Sequence, residues 1–215
     1  MAKVSMRRQG FSDERIIERV ECNKVRYNTR ISKPENCEVV IVSGEQPRRL
    51  NNLDDGMLNP KKKRFWQRNK KDPSEHIVFF MDAAYHEACW GGNVLYIDPE
   101  DNKRKKVFIR TTFAFKIFRA DRTLLLLSET KEKYSKKYLI DKLRLRVDNT
   151  IKTHLGKELK EHGFIEAQNN LLEVAEAIEE KVNTDVLAPF GLSMAGLNIV
   201  LEEAEEVSYE EKKGA

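Results

Sequence analysis

The densest chemical signal in this 215-residue chain is PKKKRFWQRNKK, residues 60–71. Seven Lys and Arg stand there without an acid, and Phe65 and Trp66 lie between them. Lys61, Lys62, Lys63, Arg64, Arg68, Lys70 and Lys71 can neutralise anionic lipid headgroups while the two aromatics wedge at the interface. The same residues can neutralise nucleic-acid phosphates, with Trp66 stacked on a base. A plainer reading is a solvated loop whose Phe-Trp pair packs on the domain. The nine residues from Lys61 to Lys71 named here are the expected membrane or partner contact.

Other reactive residue types fall into weaker patterns. His86 and Cys89, in HEAC, have a spacing open to two metal ligands, but zinc needs four and no second CxxC or HxxxH pair follows. A core or turn role is expected instead. His154 and His162 lie about two helical turns apart, too far to share an ion unaided. Nucleophilic catalysis needs a Ser or Cys beside a positioned base, and no G-x-S-x-G, Walker A or G-x-G-x-x-G occurs. Glu173, Glu176 and Glu180 read as a solvated helix face. The expectation is therefore a non-enzyme with no catalytic residue, cofactor or metal.

Composition sets the frame for these groups. Charged residues make up 34% and apolar residues 40%, a balance suited to a heavily solvated domain. No apolar run reaches the roughly 20 residues that span a bilayer, so a cytoplasmic protein is expected, peripheral at most to the inner face of a membrane. Cys22, Cys37 and Cys89 are odd in number and widely spaced, which fits a reducing compartment and small, partly buried hydrophobes. Net charge is only +4, but the first third is basic, whereas Glu166–Glu211 holds twelve acids and one base, Lys181. Such polarity suits front-to-back pairing of copies, or simply a solvated surface.

The elements that must position these residues follow from periodicity. Residues 1–35 read as a polar arm in which DERIIERVE forms a short amphipathic helix. CEVVIVSG reads as a buried strand, and Glu45–Ser74 as loop. HIVFFMD and NVLYID read as strands joined by a connection carrying CWGG. KRKKVFIRTTFAFKIFRAD alternates clearly, with Phe113, Phe115 and Ile117 on one face and Thr112, Lys116 and Phe118 on the other. RTLLLLSETKE suggests a short helix capped by Asp121. A long helix follows, capped by Ser135 and stopped by Gly163, with Ile140, Leu143, Val147, Ile151 and Leu155 as its apolar stripe. The next helix buries Leu171, Val174, Ala175, Ile178 and Val182 and turns at Gly191. LSMAGLNIVLEEA is the last strand, with a bulge at Gly196. Strands, then helices, then one strand make an α+β fold: a small, mostly antiparallel sheet with two or three helices packed on it.

Three stretches resemble the stomatin/prohibitin/flotillin family, the SPFH or band-7 domain. They are KVFIRTTFAFKIFRADRTLL, YSKKYLIDKLRLRVDNTIKTHLGKEL and LLEVAEAIEEKVNTDVLAPFGLSMAGLNIVLEEAEE. Trp90-Gly91 before a hairpin turn is similar to a bacterial subgroup labelled virion-core-protein-like. The resemblance covers roughly residues 36–204, leaving the N-terminal arm and an acidic-to-basic tail at 205–215. It implies a scaffold that forms homo-oligomers, recruits a partner protein and gathers at membranes. The sequence shows no counterpart of the family's N-terminal membrane hairpin or long C-terminal coiled coil, so peripheral association is the expectation. A nucleic-acid-binding module using residues 61–71 is the alternative.

Overall fold

The computed structural model describes residues 3–5, 11–12, 14–23, 29–43, 46–50, 75–127, 131–202 and 205–207. The fold is α+β, as the order of patterns predicted, and it divides into two compact units. Unit 1 draws on residues 1–86, 116–142 and 189–193, and unit 2 on 87–115, 143–188 and 194–215.

Unit 1 is built on a five-stranded antiparallel sheet. Its strands are β2 (Ile17–Asn23), β4 (Cys37–Ser43), β5 (Gln46–Arg49), β6 (Glu75–Asp82) and β9 (Lys133–Tyr134), in the order β5-β4-β6-β2-β9. A short parallel pair, β1 (Lys3–Ser5) with β3 (Arg30–Ser32), accompanies it. β6 is the middle strand, and Val78, Phe79, Phe80 and Met81 are all buried, as a strand covered on both faces requires. On one face Val78 and Phe80 join Cys22, Ile31, Cys37, Val39, Ile41 and Leu50 in a single apolar cluster.

Two expectations fail in this unit. DERIIERVE does not form a helix in an arm: it leads into and supplies β2, an inner strand hydrogen-bonded to β6 and β9. Ile16 and Ile17 are fully buried and Glu18 is buried beside Arg15, 3.8 Å away. Burial on both sides erased the alternation that marks a strand, and the Ile-Ile-x-x-Val spacing imitated a helix. Likewise the expected loop from Glu45 contains β5, whose Pro47 is tolerated because β5 lies at the sheet edge.

Unit 2 centres on β8 (Arg104–Ile117), which pairs with β7 (His86–Ile97), β10 (Leu192–Leu201) and the two-residue β11 (Glu205–Glu206). CWGG is not a connection but the middle of β7, a correction to the two-strand reading. The Gly-Gly turn signal misled because Gly91 answers to crowding by a backbone carbonyl, while Gly92 meets only the movable end of a lysine. A Cβ at Gly91 would sit 2.9 Å from the Ile109 carbonyl oxygen and 3.0 Å from the Phe108 ring, and one at Gly92 2.8 Å from Lys152 Nζ. After β10 the chain adds β11 to the same sheet. Glu205 and Glu206 pair with Lys106 and Lys105 of β8, and ion pairs at 2.8 Å to Lys106 and 2.9 Å to Lys103 hold them there.

The helices keep most of their expected landmarks. α1 (Ala120–Thr123), continued by a 3-10 turn at Leu124–Leu126, is shorter than read, and Asp121 does not cap it. Asp121 instead receives a bidentate fork from Arg119, at 3.0 and 2.9 Å, which holds its carboxyl below the usual range. α2 (Lys136–Asn169) begins where Ser135 Oγ accepts the Tyr138 N–H at 3.1 Å. Gly163 breaks its helical geometry at φ 77°. Leu143, Val147, Ile151, Leu155 and Leu159 are buried, while Ile140 is only half-buried. α2 runs alongside β7: Lys152 lies by Gly92, Gly156 by Val94 and Gly163 by Pro99. Between the first two contacts, four helical residues at about 1.5 Å each match two strand residues at about 3.3 Å. α3 (Leu171–Val182) buries Val174, Ala175, Ile178 and Val182; a π turn and a 3-10 turn then carry the chain to Gly191.

Candidate interaction surface

The basic segment with Lys61, Lys62, Lys63, Arg64, Phe65, Trp66, Arg68, Lys70 and Lys71 lies outside the described residues, between β5 and β6. His86 and Cys89 share β7 but not a face: burial alternates along the strand, with His86 buried and Cys89 exposed. Side chains three apart on a strand point to opposite sides and cannot meet at one ion. Glu173, Glu176 and Glu180 are exposed on α3. Of the cysteines, Cys22 and Cys37 are buried and Cys89 is not, which corrects the uniform reading of the three.

Strand register creates one contact that spacing did not reveal. Ser43 and His76 are opposite one another on β4 and β6, with Ser43 Oγ 2.6 Å from His76 Nδ1, and Cys22 is the partner of His76 on β2. Burial pushes the Cys22 thiol up to about 11, so the sulfur stays protonated beside the imidazole rather than acting as a thiolate. A separation of 33 residues hides the Ser43–His76 contact until the pairing of β4 with β6 is known.

The surface best prepared for contact is the sheet of unit 2. One face carries Ala88, Trp90, Val94, Tyr96, Val107, Ile109 and Phe113 into the core, where Trp90 meets Phe113 edge-to-face at 4.7 Å. The other face exposes Leu95 and Ile97 of β7, Phe108 of β8 and Val200 of β10. Half the surface of Leu95 and Ile97 is open, at 51% and 49%. An Arg110–Glu202 ion pair at 3.0 Å lies on the same exposed side. The β7–β8 turn is pinned by Asp98, which is buried and accepts from Lys105 Nζ, the Glu100 N–H and the Tyr96 hydroxyl. Lys105 holds the Asp98 carboxyl below its ordinary range, and burial followed by the Asp98 charge pushes Tyr96 up to about 12.

The two long border strands of this sheet are treated differently. β10 bulges at Gly196, φ 67°, where the buried series passes from Met194 to Leu197 and gains one residue. α3 covers the backbone there. Asn183 accepts the Met194 N–H at 2.6 Å and donates to its carbonyl at 3.0 Å, and Glu179 accepts the Leu197 N–H at 2.8 Å. These two residues, four apart on one helix face, were missed in the sequence because their targets depend on the bulge. Asn183→Ala leaves both Met194 groups unanswered and lowers stability by about 1–3 kcal/mol in urea unfolding. An unchanged midpoint would show that the clip carries no weight. β7, in contrast, has β8 as its sole sheet partner among the described residues.

No helix among the described residues is long and apolar enough to cross a membrane. No protein-family model matches the chain, and no curated protein matches it.

Proposed function

We propose that the chain is a non-enzymatic scaffold domain of the SPFH or band-7 type, which self-associates and recruits a partner protein. The observation that carries this reading is the open face of the unit 2 sheet, where Leu95, Ile97, Phe108 and Val200 stand in solvent. Antiparallel sheets usually keep such a face polar, so several large apolar side chains on it favour contact with another surface. The order long strand, long helix, second helix, glycine turn and final strand also supports it, because those elements carry the resemblance. The basic segment 61–71 serves in this reading as the contact for an anionic membrane surface, with the protein otherwise in the cytoplasm.

Light scattering across protein concentration and ionic strength tests the self-association. The expected result is a mass that rises with concentration to at least twice that of the chain. A concentration-independent monomer at low salt overturns the reading. Neutralising Lys61 to Arg64 with Gln should abolish binding to anionic vesicles; loss of oligonucleotide binding alone would place the segment on nucleic acid instead.

A further inference from the structure

Sheet edges invite other strands because each presents a row of unpaired N–H and C=O groups, and folded proteins usually blunt them. Several strand edges among the described residues are blunted. β5 carries Pro47, Arg48 and Arg49; β9 is two residues long; β10 is covered at Met194 and Leu197 by Asn183 and Glu179. β7 has none of these devices. It runs for twelve residues, contains no Lys, Arg or Pro, and is bonded along one side only among the described residues. Its single acid, Glu87, lies near one end, and Asn93–Ile97 is an uncharged stretch of high strand propensity.

We propose that the β7 edge pairs with β7 of a second copy, antiparallel and about a two-fold axis, joining two unit 2 sheets into one. This rests on the self-association proposed above and gives it an interface. The occupant is a second copy because the strand complements itself. A two-fold contact presents the same surface to itself, and equal burial of both strands centres the pairing at the strand midpoint, Gly91–Gly92. Side chains of paired residues must share a face, so the axis falls on a residue rather than between two. On Gly91, Trp90 faces Gly92 of the second copy, a large side chain against none, and this holds on both sides of the axis. Cys89 then faces Asn93, and Glu87 faces Leu95, so no like charges meet. An axis on Gly92 would set Trp90 against Val94 and lose that size match.

Cys89 and Asn93 both point outward and are exposed, so charges can be placed there without entering the core. The double variant Cys89→Lys, Asn93→Lys sets lysine against lysine twice across the axis and should weaken association about tenfold or more. Cys89→Glu, Asn93→Lys sets glutamate against lysine twice and should return the association towards the parent value. Both are measured by sedimentation equilibrium, with circular dichroism and thermal melts confirming an unchanged fold. If the parent associates and the double-lysine variant associates equally well, the β7 contact is overturned while the scaffold reading stands. If the double-lysine variant weakens but the Glu/Lys variant does not recover, the Gly91 axis is overturned. If the parent is a monomer at every concentration, the scaffold reading fails and the contact falls with it.

Discussion

Gly191→Ala lowers the stability of the fold by about 2–5 kcal/mol, roughly the sum of a left-handed backbone penalty and an overpacking penalty. The residue has φ 69°, and an added Cβ would lie 2.1 Å from the Arg119 carbonyl oxygen and 2.6 Å from its Cβ. Arg119 cannot easily withdraw. Its N–H and that of Phe118 donate to the Gly191 carbonyl at 3.0 and 2.9 Å, while its own carbonyl accepts the Arg122 and Thr123 amides that start α1. Relief of the clash therefore breaks either the Gly191 junction or the first turn of α1. Gly196→Ala is the matched control. It has nearly the same φ, 67°, but nothing lies within 4 Å of the added carbon, so its cost is the backbone penalty alone, about 1–2 kcal/mol. Urea unfolding of the two variants separates steric from conformational cost. Equal losses would mean that the Arg119 contact relaxes freely.

Phe80→Ala is expected to cost about 3–5 kcal/mol, the range for removing a fully buried aromatic from a core that cannot collapse around the gap. Phe80 has no exposed surface and sits on the middle strand of unit 1, in the cluster with Cys22, Cys37, Val39, Ile41 and Val78. Neighbouring strands hold its backbone from both sides, since it pairs with Glu18 on β2 and Val39 on β4. The cavity thus persists rather than closing. Guanidinium unfolding followed by circular dichroism measures the loss. A change below about 1 kcal/mol would contradict the packing described for this cluster.

How much of this was legible in the chain depends on whether local chemistry or long-range pairing decides each feature. Ser135 as a cap, Gly163 as a stop and Gly191 as a turn all follow from backbone needs met within a few residues. The alternation of β8 was readable because the sheet buries one side of that strand and leaves the other wet. β2 was not, because Ile16, Ile17 and Glu18 are buried in succession and the period is lost there. Gly91 and Gly92 read as a turn, since nothing nearby in sequence reveals that Phe108 and Ile109 crowd Gly91. The strongest chemical signal, residues 61–71, lies outside the described structure, whereas the β7 edge carries no motif at all. What marks it is a lack of lysine and proline, which acquires meaning only once the strand is known to lie at a border.

The distribution of the three thiols has a practical consequence. Cys22 and Cys37 lie in the unit 1 core, where burial pushes their thiols up to about 11 and about 12, while Cys89 faces solvent. Thiolates attack alkylating reagents, so at neutral pH the folded molecule offers one reactive thiol and the unfolded molecule offers three. A mass shift of one adduct or three then counts folded and unfolded molecules in a mixture, without an attached dye. The protein holds a stoichiometric record of its own folding in its rarest reactive atoms.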